Sequence, residues 1–302
     1  YTLYREFKRI GERRGYQAPY NDKRAKMTAA ALRVLLGEDQ YVDALHDYIW
    51  SVCEETNWVI PAHERVEVDL GAVGTGFTLA EIIVALEGKL AEEVTGRVRT
   101  EIERRIFLPY LERHEQMWWF RGHNNWNGVC NGAIGSMFLL LERDLDRLAR
   151  ALELVLEGLE VFLATAFEAE GSSTEGVGYW QYGLSNVIPF AEMLRKRTNS
   201  AIDILASDRL KAIAAYPTRM MLSPGHYASF SDSEEETEFS PGLITRLAER
   251  TDVSDLLAVL AEPAEARAAL RHQSRFHTLW RDMIWWDGTR PKRAEIVDAW
   301  LK

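Results

Sequence analysis

Four side-chain amides and two ring systems crowd nine residues, His123 to Asn131, in the stretch His123-Asn124-Asn125-Trp126-Asn127-Gly128-Val129-Cys130-Asn131-Gly132. An amide donates and accepts hydrogen bonds without a titrating proton, and an indole face stacks on flat apolar surfaces such as a sugar ring. Asn is poorly suited to helix interiors and better suited to caps and turns. Such a density of Asn just before an apolar helix, read from Val129 to Leu141, therefore serves something other than helix propensity. A polar, ring-shaped ligand fits it. Two further segments collect unusual residues: Trp58 to Asp69, with His63, and Glu168 to Tyr182, with Glu175, Tyr179, Trp180 and Tyr182. Upstream of the Asn run, Trp118, Trp119, Phe120 and Arg121 enlarge the central segment.

The elements that must position these residues read as helices, because apolar residues recur at helical rather than alternating spacing. Helices are predicted over Asp22–Leu36, Tyr41–Cys53, Leu70–Leu90, Glu92–Leu111, Val129–Leu141, Leu145–Phe167, Tyr179–Lys196 and Ala201–Leu222. Four more follow at Pro241–Arg250, Val253–Ala261, Ala264–Arg271 and Phe276–Trp286, and the best strand candidate is the brief His226–Ser231. Short links suit antiparallel helix hairpins. Leu145–Phe167 is apolar around much of its circumference, as a helix buried on two sides would be. The expected fold is all-α, an incomplete α/α toroid over residues 1–302 as one domain, with a compact helical bundle as the alternative. In a toroid the three unusual loops, each preceding an apolar helix, would gather at one end.

The chain has 302 residues, 47% of them hydrophobic, enough for a substantial core. Its net charge of −10 argues against binding nucleic acid or anionic membranes through bulk charge. Two cysteines, Cys53 and Cys130, cannot build a disulfide framework and read as buried free thiols. No apolar run is long enough to span a membrane. Tyr1–Arg14 is charged and amphipathic rather than signal-peptide-like, and the chain opens without Met inside a helical pattern. That reads as a processed protein or a piece of a longer one. The compartment is not fixed; bacterial cytoplasm or periplasm is expected. There is no phosphate-binding Gly-rich loop, no His-Glu-x-x-His, no Cys-x-x-Cys and no Gly-x-Ser-x-Gly. No cofactor or metal is expected.

At the three loops the chain resembles the helical domain of the heparinase II/III-like polysaccharide lyases, which include oligoalginate lyases. The similarity is carried by Pro61-Ala62-His63 with Asp69-Leu70, by Asn124 to Gly132, by Glu175-Gly176-Val177-Gly178-Tyr179-Trp180-Gln181-Tyr182-Gly183, and by Phe230-Ser231-Asp232-Ser233. It covers residues 58–233; residues 234–302 read as a further helical part. The resemblance implies an incomplete toroid joined to a C-terminal β-sheet domain, and β-elimination on uronate-containing glycans. With 302 residues, the chain leaves no room for that β-sheet domain, which is therefore an expected partner within a longer protein. The resemblance also implies that the domain supplies a catalytic His.

β-Elimination removes the C5 proton of a uronate and expels the oxygen at C4. Hydrogen bonds to the adjacent carboxylate let the developing carbanion delocalise, as an oxyanion hole does. Asn125 suits that task, with Asn124 as a neighbour able to exchange roles. The leaving oxygen needs a proton, which a phenol can supply. Tyr179, 179 − 125 = 54 positions downstream, matches the separation of Asn and Tyr that the resemblance implies, and is read as the general acid. It would also serve as base for one uronate epimer, with Arg121 or His123 as the cation that favours its ionised form. Asn124, Trp126, Asn127, His123, Arg121, Trp119, Trp180, Tyr182, Glu175 and His63 are the candidate substrate-binding residues.

Plainer readings stand beside these. Asn125 would simply cap a helix, Tyr179 and the tryptophans would belong to the core, and Glu175 would orient neighbouring loops. Two other functions remain open on sequence grounds: a glycoside hydrolase drawing on Glu168, Glu170, Glu175 and Asp69, and a non-catalytic module binding acidic oligosaccharides.

Overall fold

A computed structural model describes residues 1–261 and 275–291. These are mostly helical: α1 (Thr2–Ile10), α2 (Arg14–Leu35), α3 (Val42–Cys53), α4 (Leu70–Ala85), α5 (Glu92–Ile102), α6 (Leu108–Arg113), α7 (Asn125–Leu141), α8 (Leu145–Thr165), α9 (Gly176–Arg197), α10 (Asp208–Ala214), α11 (Tyr216–Arg219), α12 (Pro241–Thr251) and α13 (Phe276–Trp285). The sheet among the described residues is one antiparallel pair, β1 (Met221–Ser223) with β2 (His226–Tyr227). The all-α expectation holds at this level. No helix among the described residues is long and apolar enough to cross a membrane.

Several boundaries differ from the sequence reading, each for a local reason. Helix α7 starts at Asn125, so part of the amide run lies inside its first turns rather than ahead of them. The long helix expected over Glu92–Leu111 is interrupted by a π-helical segment, Glu103–Phe107. The one expected over Ala201–Leu222 breaks into a 3-10 turn, α10, α11 and β1, with Pro217 at the start of α11; lacking an N–H, proline suits the first turn of a new helix and not the interior of a continuous one. Residues 254–260 form a 3-10 helix. The helix expected over Ala264–Arg271 lies outside the described residues.

The described residues form two compact units: residues 1–118 with 140–151 and 275–277, and residues 119–139 with 152–261 and 278–291. In the first, Arg24 is buried, lies 3.3 Å from the centre of the Tyr20 ring, and donates to Thr75 Oγ1 at 2.7 Å and Glu55 Oε2 at 2.7 Å. Asp69 caps α4: its Oδ1 accepts from the Ala72 N–H at 2.7 Å.

Also in this unit, Glu101 is only 2% exposed. It accepts from Arg104 and Arg105 at 2.6 Å each and lies 3.1 Å from Arg97. Burial alone would raise its carboxyl pKa, but the hydrogen bonds from Arg104 and Arg105 and their charges outweigh burial and hold it below its ordinary value. A lowered folded-state pKa contributes stability above the unfolded value near 4.3 and loses it as pH falls through the folded value. Glu101→Gln should therefore cost about 2 kcal/mol at neutral pH. In urea unfolding at a series of pH values, the gap to the parent should close as the medium falls below about pH 4. A pH-independent gap would mean that the charge contributes nothing.

Both cysteines are free and buried, as the sequence reading expects. Burial pushes the Cys53 thiol up to about 12. It should resist iodoacetamide at pH 8 in the folded protein and react once denaturant is added; rapid labelling of native Cys53 would contradict this placement.

In the second unit, α7, α8 and α9 pack through glycines. A Cβ at Gly128 would stand 2.7 Å from the Phe162 ring, one at Gly132 2.7 Å from the Asn186 main chain, and one at Gly135 2.5 Å from Phe190 and 2.8 Å from Val155. From Gly128 to Gly135 the α8 contacts run backwards, Phe162 then Val155, while from Gly132 to Gly135 the α9 contacts run forwards, Asn186 then Phe190. Helix α8 is thus antiparallel to α7, and α9 runs in the same direction as α7. The N-termini of α7 and α9 therefore lie at the same end.

Candidate functional site

That shared end brings the second and third loops together. Asn124, just before α7, caps it: its Oδ1 accepts from the Trp126 N–H at 3.2 Å, and its carbonyl from the Asn127 N–H at 3.2 Å. The helix cap is thus Asn124, which leaves Asn125 to make other bonds. The Asn125 backbone N–H donates to Glu175 Oε2 at 2.7 Å, and its Nδ2 donates to Glu175 Oε1 at 2.8 Å. Glu175 is the residue preceding α9. One carboxylate therefore sits at two helix N-termini, where the exposed N–H groups and helix dipoles favour negative charge. Glu175 orients Asn125.

Tyr179 lies four residues after Glu175, one turn along the same face of α9. A Cβ at Gly183, one turn further, would lie 3.7 Å from Asn125 Cα. The α9 face carrying Tyr179 thus flanks the start of α7. Tyr179, Trp126, Tyr182 and Asn124 are partly exposed, and His123 is exposed.

The fourth motif also covers the start of α9. Gly176 adopts φ +83°, and a Cβ there would lie 2.3 Å from Ser233 Cβ, so glycine is needed both for backbone conformation and for space. The Gly178 N–H donates to Ser233 Oγ at 3.4 Å. Gln181 accepts from the Ser240 N–H at 2.6 Å and donates to the Glu238 carbonyl at 3.0 Å.

Other expected ligand contacts are corrected by burial. Trp119 is 0% exposed, and Trp180 is 1% exposed with its Nε1 donating to the Ile213 carbonyl at 3.0 Å. Both rings pack in the core and present no stacking face. Asn127 is 0% exposed; its Nδ2 donates to the Gly122 carbonyl at 3.0 Å, and its Oδ1 accepts from Asn131 Nδ2 at 2.8 Å. Asn131 in turn donates to the Phe120 carbonyl at 3.3 Å. These two amides pin the turn before α7 instead of meeting a ligand. Arg121 is exposed and pairs with Glu157, to which its Nε donates at 2.9 Å. The chain matches no protein-family model and no curated protein.

His63 belongs to the first unit. Its Nδ1 donates to Asp69 Oδ2 at 2.9 Å, since the carboxylate can only accept, and Arg13 lies 3.4 Å from its Nε2. Asp69 also accepts from the Ile60 N–H at 3.2 Å. Pro61-Ala62-His63 and Asp69 therefore form one hydrogen-bonded unit around the start of α4.

One functional support escaped the sequence reading. Arg209 donates to four main-chain carbonyls, of Leu163 at 2.8 Å, Phe167 at 2.5 Å, Glu168 at 2.6 Å and Ala169 at 3.2 Å. It closes the C-terminus of α8 and anchors the loop that delivers Glu175. A single Arg near the start of a short helix carries no pattern that would reveal this.

Two grooves in this unit, about 470 Å³ beside Pro189, Lys196 and Trp285 and about 600 Å³ along Leu156, Leu163 and Ile204, contain none of the candidate residues. The cluster at the start of α7 and α9 is therefore defined by its hydrogen bonding and not by either groove. Among the described residues, no group of three or more His, Cys, Asp or Glu side chains is placed to hold a metal ion.

Proposed function

We propose that this chain is the helical part of a polysaccharide lyase that cleaves uronate-containing glycans, such as alginate or glycosaminoglycan oligosaccharides, by β-elimination. In this reading the helices belong to an incomplete α/α toroid, and a C-terminal β-sheet domain of a longer protein completes the cleft. The observation that carries the proposal is the link from Asn125 through Glu175 to the α9 face that bears Tyr179, across two helix starts at one end.

The uronate carboxylate is received by side-chain amides. Asn124 takes the larger share: it is partly exposed, and its Oδ1 is the atom engaged by the helix cap, which leaves Nδ2 to donate. Those hydrogen bonds stabilise the charge that develops on the carboxylate when the C5 proton passes to a base, the catalytic His that the C-terminal β-sheet domain would supply. The C4–O bond then breaks, C4 and C5 become doubly bonded, and the Tyr179 phenol gives the departing oxygen its proton. For the epimer whose C5–H lies on the same face, the ionised phenol first takes that proton and then passes it on. Trp126, Tyr182 and His123 offer the partly or fully exposed rings around the site.

Two of the four carboxylates on which a hydrolase could draw are otherwise engaged. Both Glu175 oxygens hold Asn125, and the two Asp69 oxygens accept from the main-chain N–H groups of Ala72 and Ile60. The decisive assay incubates the protein with alginate, heparan and chondroitin oligomers and follows the ultraviolet absorbance of the unsaturated uronate. Appearance of that chromophore on one of them is expected; no chromophore on any uronate glycan, with the full-length protein, rejects the proposal.

A further inference from the structure

Asn125 is 4% exposed, and only one end of its amide has a partner. Glu175 grips the residue at two points, the backbone N–H and Nδ2. Because a carboxylate only accepts, this grip fixes the amide with its nitrogen toward Glu175 and its oxygen away from it. That oxygen, Oδ1, is buried and receives no hydrogen bond from the protein. Buried acceptors without a donor are rare in folded proteins, and each calls for a group that supplies one. The bond from Nδ2 to a carboxylate also polarises the amide and enriches its oxygen in electron density. An arriving carboxylate would meet lone pairs here, with the Glu175 charge behind them. An arriving O–H group would find a strong acceptor.

We propose that Asn125 Oδ1 accepts a hydrogen bond from a sugar hydroxyl of the ligand, and that Glu175 is the positioning residue that keeps this oxygen turned toward it. The choice of a sugar rests on the lyase reading; the preference for a hydrogen-bond donor rests on the geometry alone. The two adjacent amides then divide recognition, Asn124 donating to the acid group and Asn125 accepting from a hydroxyl.

Glu175→Gln is the diagnostic variant. A Gln amide offers Asn125 one oxygen and one nitrogen in place of two acceptors. Its oxygen keeps the Asn125 backbone N–H, and its nitrogen then faces the Asn125 side chain, which turns over so that Oδ1 accepts from Gln and Nδ2 faces the ligand. The outward acceptor becomes a donor. The probes are an alginate tetrasaccharide, its carboxyl-reduced neutral form and the fully O-methylated form of each, titrated calorimetrically into the parent, E175Q and N125A proteins.

O-methylation should weaken binding to the parent by roughly tenfold or more, the loss of one hydrogen bond to a buried acceptor. E175Q and N125A should lose most of that discrimination. Methyl bulk alone would penalise all three proteins alike, and equal discrimination by all three overturns the proposal. Should E175Q fail to fold, as thermal unfolding would report, the comparison of N125A with the parent decides the matter. Binding of the neutral probe alone, with a methylation penalty sensitive to E175Q, keeps the acceptor and rejects the lyase reading. Elimination from the acidic probe with no such sensitivity keeps the lyase reading and rejects the acceptor. Binding of no probe overturns the hydroxyl acceptor.

Discussion

Tyr179→Phe should lower the rate of uronate elimination by roughly 10²- to 10⁴-fold, the range for removing a positioned general acid. The substitution deletes one oxygen from a partly exposed ring one turn into α9. The ring itself stays, so the packing of α9 against α7 should persist, and the melting temperature should move little. The effect should fall on kcat: a proton delivered to the leaving oxygen matters in the transition state, whereas sugar binding by Asn124, Asn125 and Trp126 is retained. Unsaturated-uronate formation measured across substrate concentrations, beside a thermal melt, separates these quantities. A Y179F protein with unchanged kcat would remove Tyr179 from the chemistry. One with raised KM and unchanged kcat would make it a binding residue.

The sequence disclosed the helical class and the residues worth watching, for physical reasons that the structure makes plain. Helical periodicity reports which residues are apolar and at what spacing, and that sufficed for α3, α8 and α9. It failed where chain geometry is controlled by other forces. Helix α7 begins at Asn125, ahead of the predicted Val129, because Asn124 caps the helix and Glu175 grips its first residue, whereas helix propensity discounts Asn. The π-helical segment Glu103–Phe107 is invisible to a 3.6-residue pattern.

At the site, type and order pointed to Asn125, Glu175 and Tyr179, which the fold does bring to one end of the second unit. Type alone misjudged Trp119, Trp180 and Asn127, because an indole or an amide looks the same in sequence whether it faces a sugar or the core. Only their partners tell the difference: the Ile213 carbonyl for Trp180, the Gly122 carbonyl and Asn131 for Asn127.

Gly132→Ala should destabilise the protein by about 3 kcal/mol, the upper part of the range for overpacking. The added Cβ would lie 2.7 Å from the Asn186 carbonyl carbon and oxygen and 2.9 Å from the Val187 nitrogen. All three are main-chain atoms of α9, so no side-chain rotation relieves the clash; the two helices must separate. Asn125 lies seven residues, roughly 10 Å of helix, from Gly132 on α7, and its bonds to Glu175 depend on the spacing of the same two helices. Loss of stability should therefore come with loss of oligouronate binding under conditions where the variant is still folded. Gly96→Ala is the matched control. Gly96 lies in α5, where a Cβ would meet nothing within 4 Å, and there the same methyl should stabilise by roughly 0.5–1 kcal/mol through helix propensity. Urea unfolding of both variants beside the parent gives the two signs directly. A G132A protein as stable as the parent would mean that α7 and α9 do not approach through this glycine, and the joined helix starts on which the site is built would lose their support.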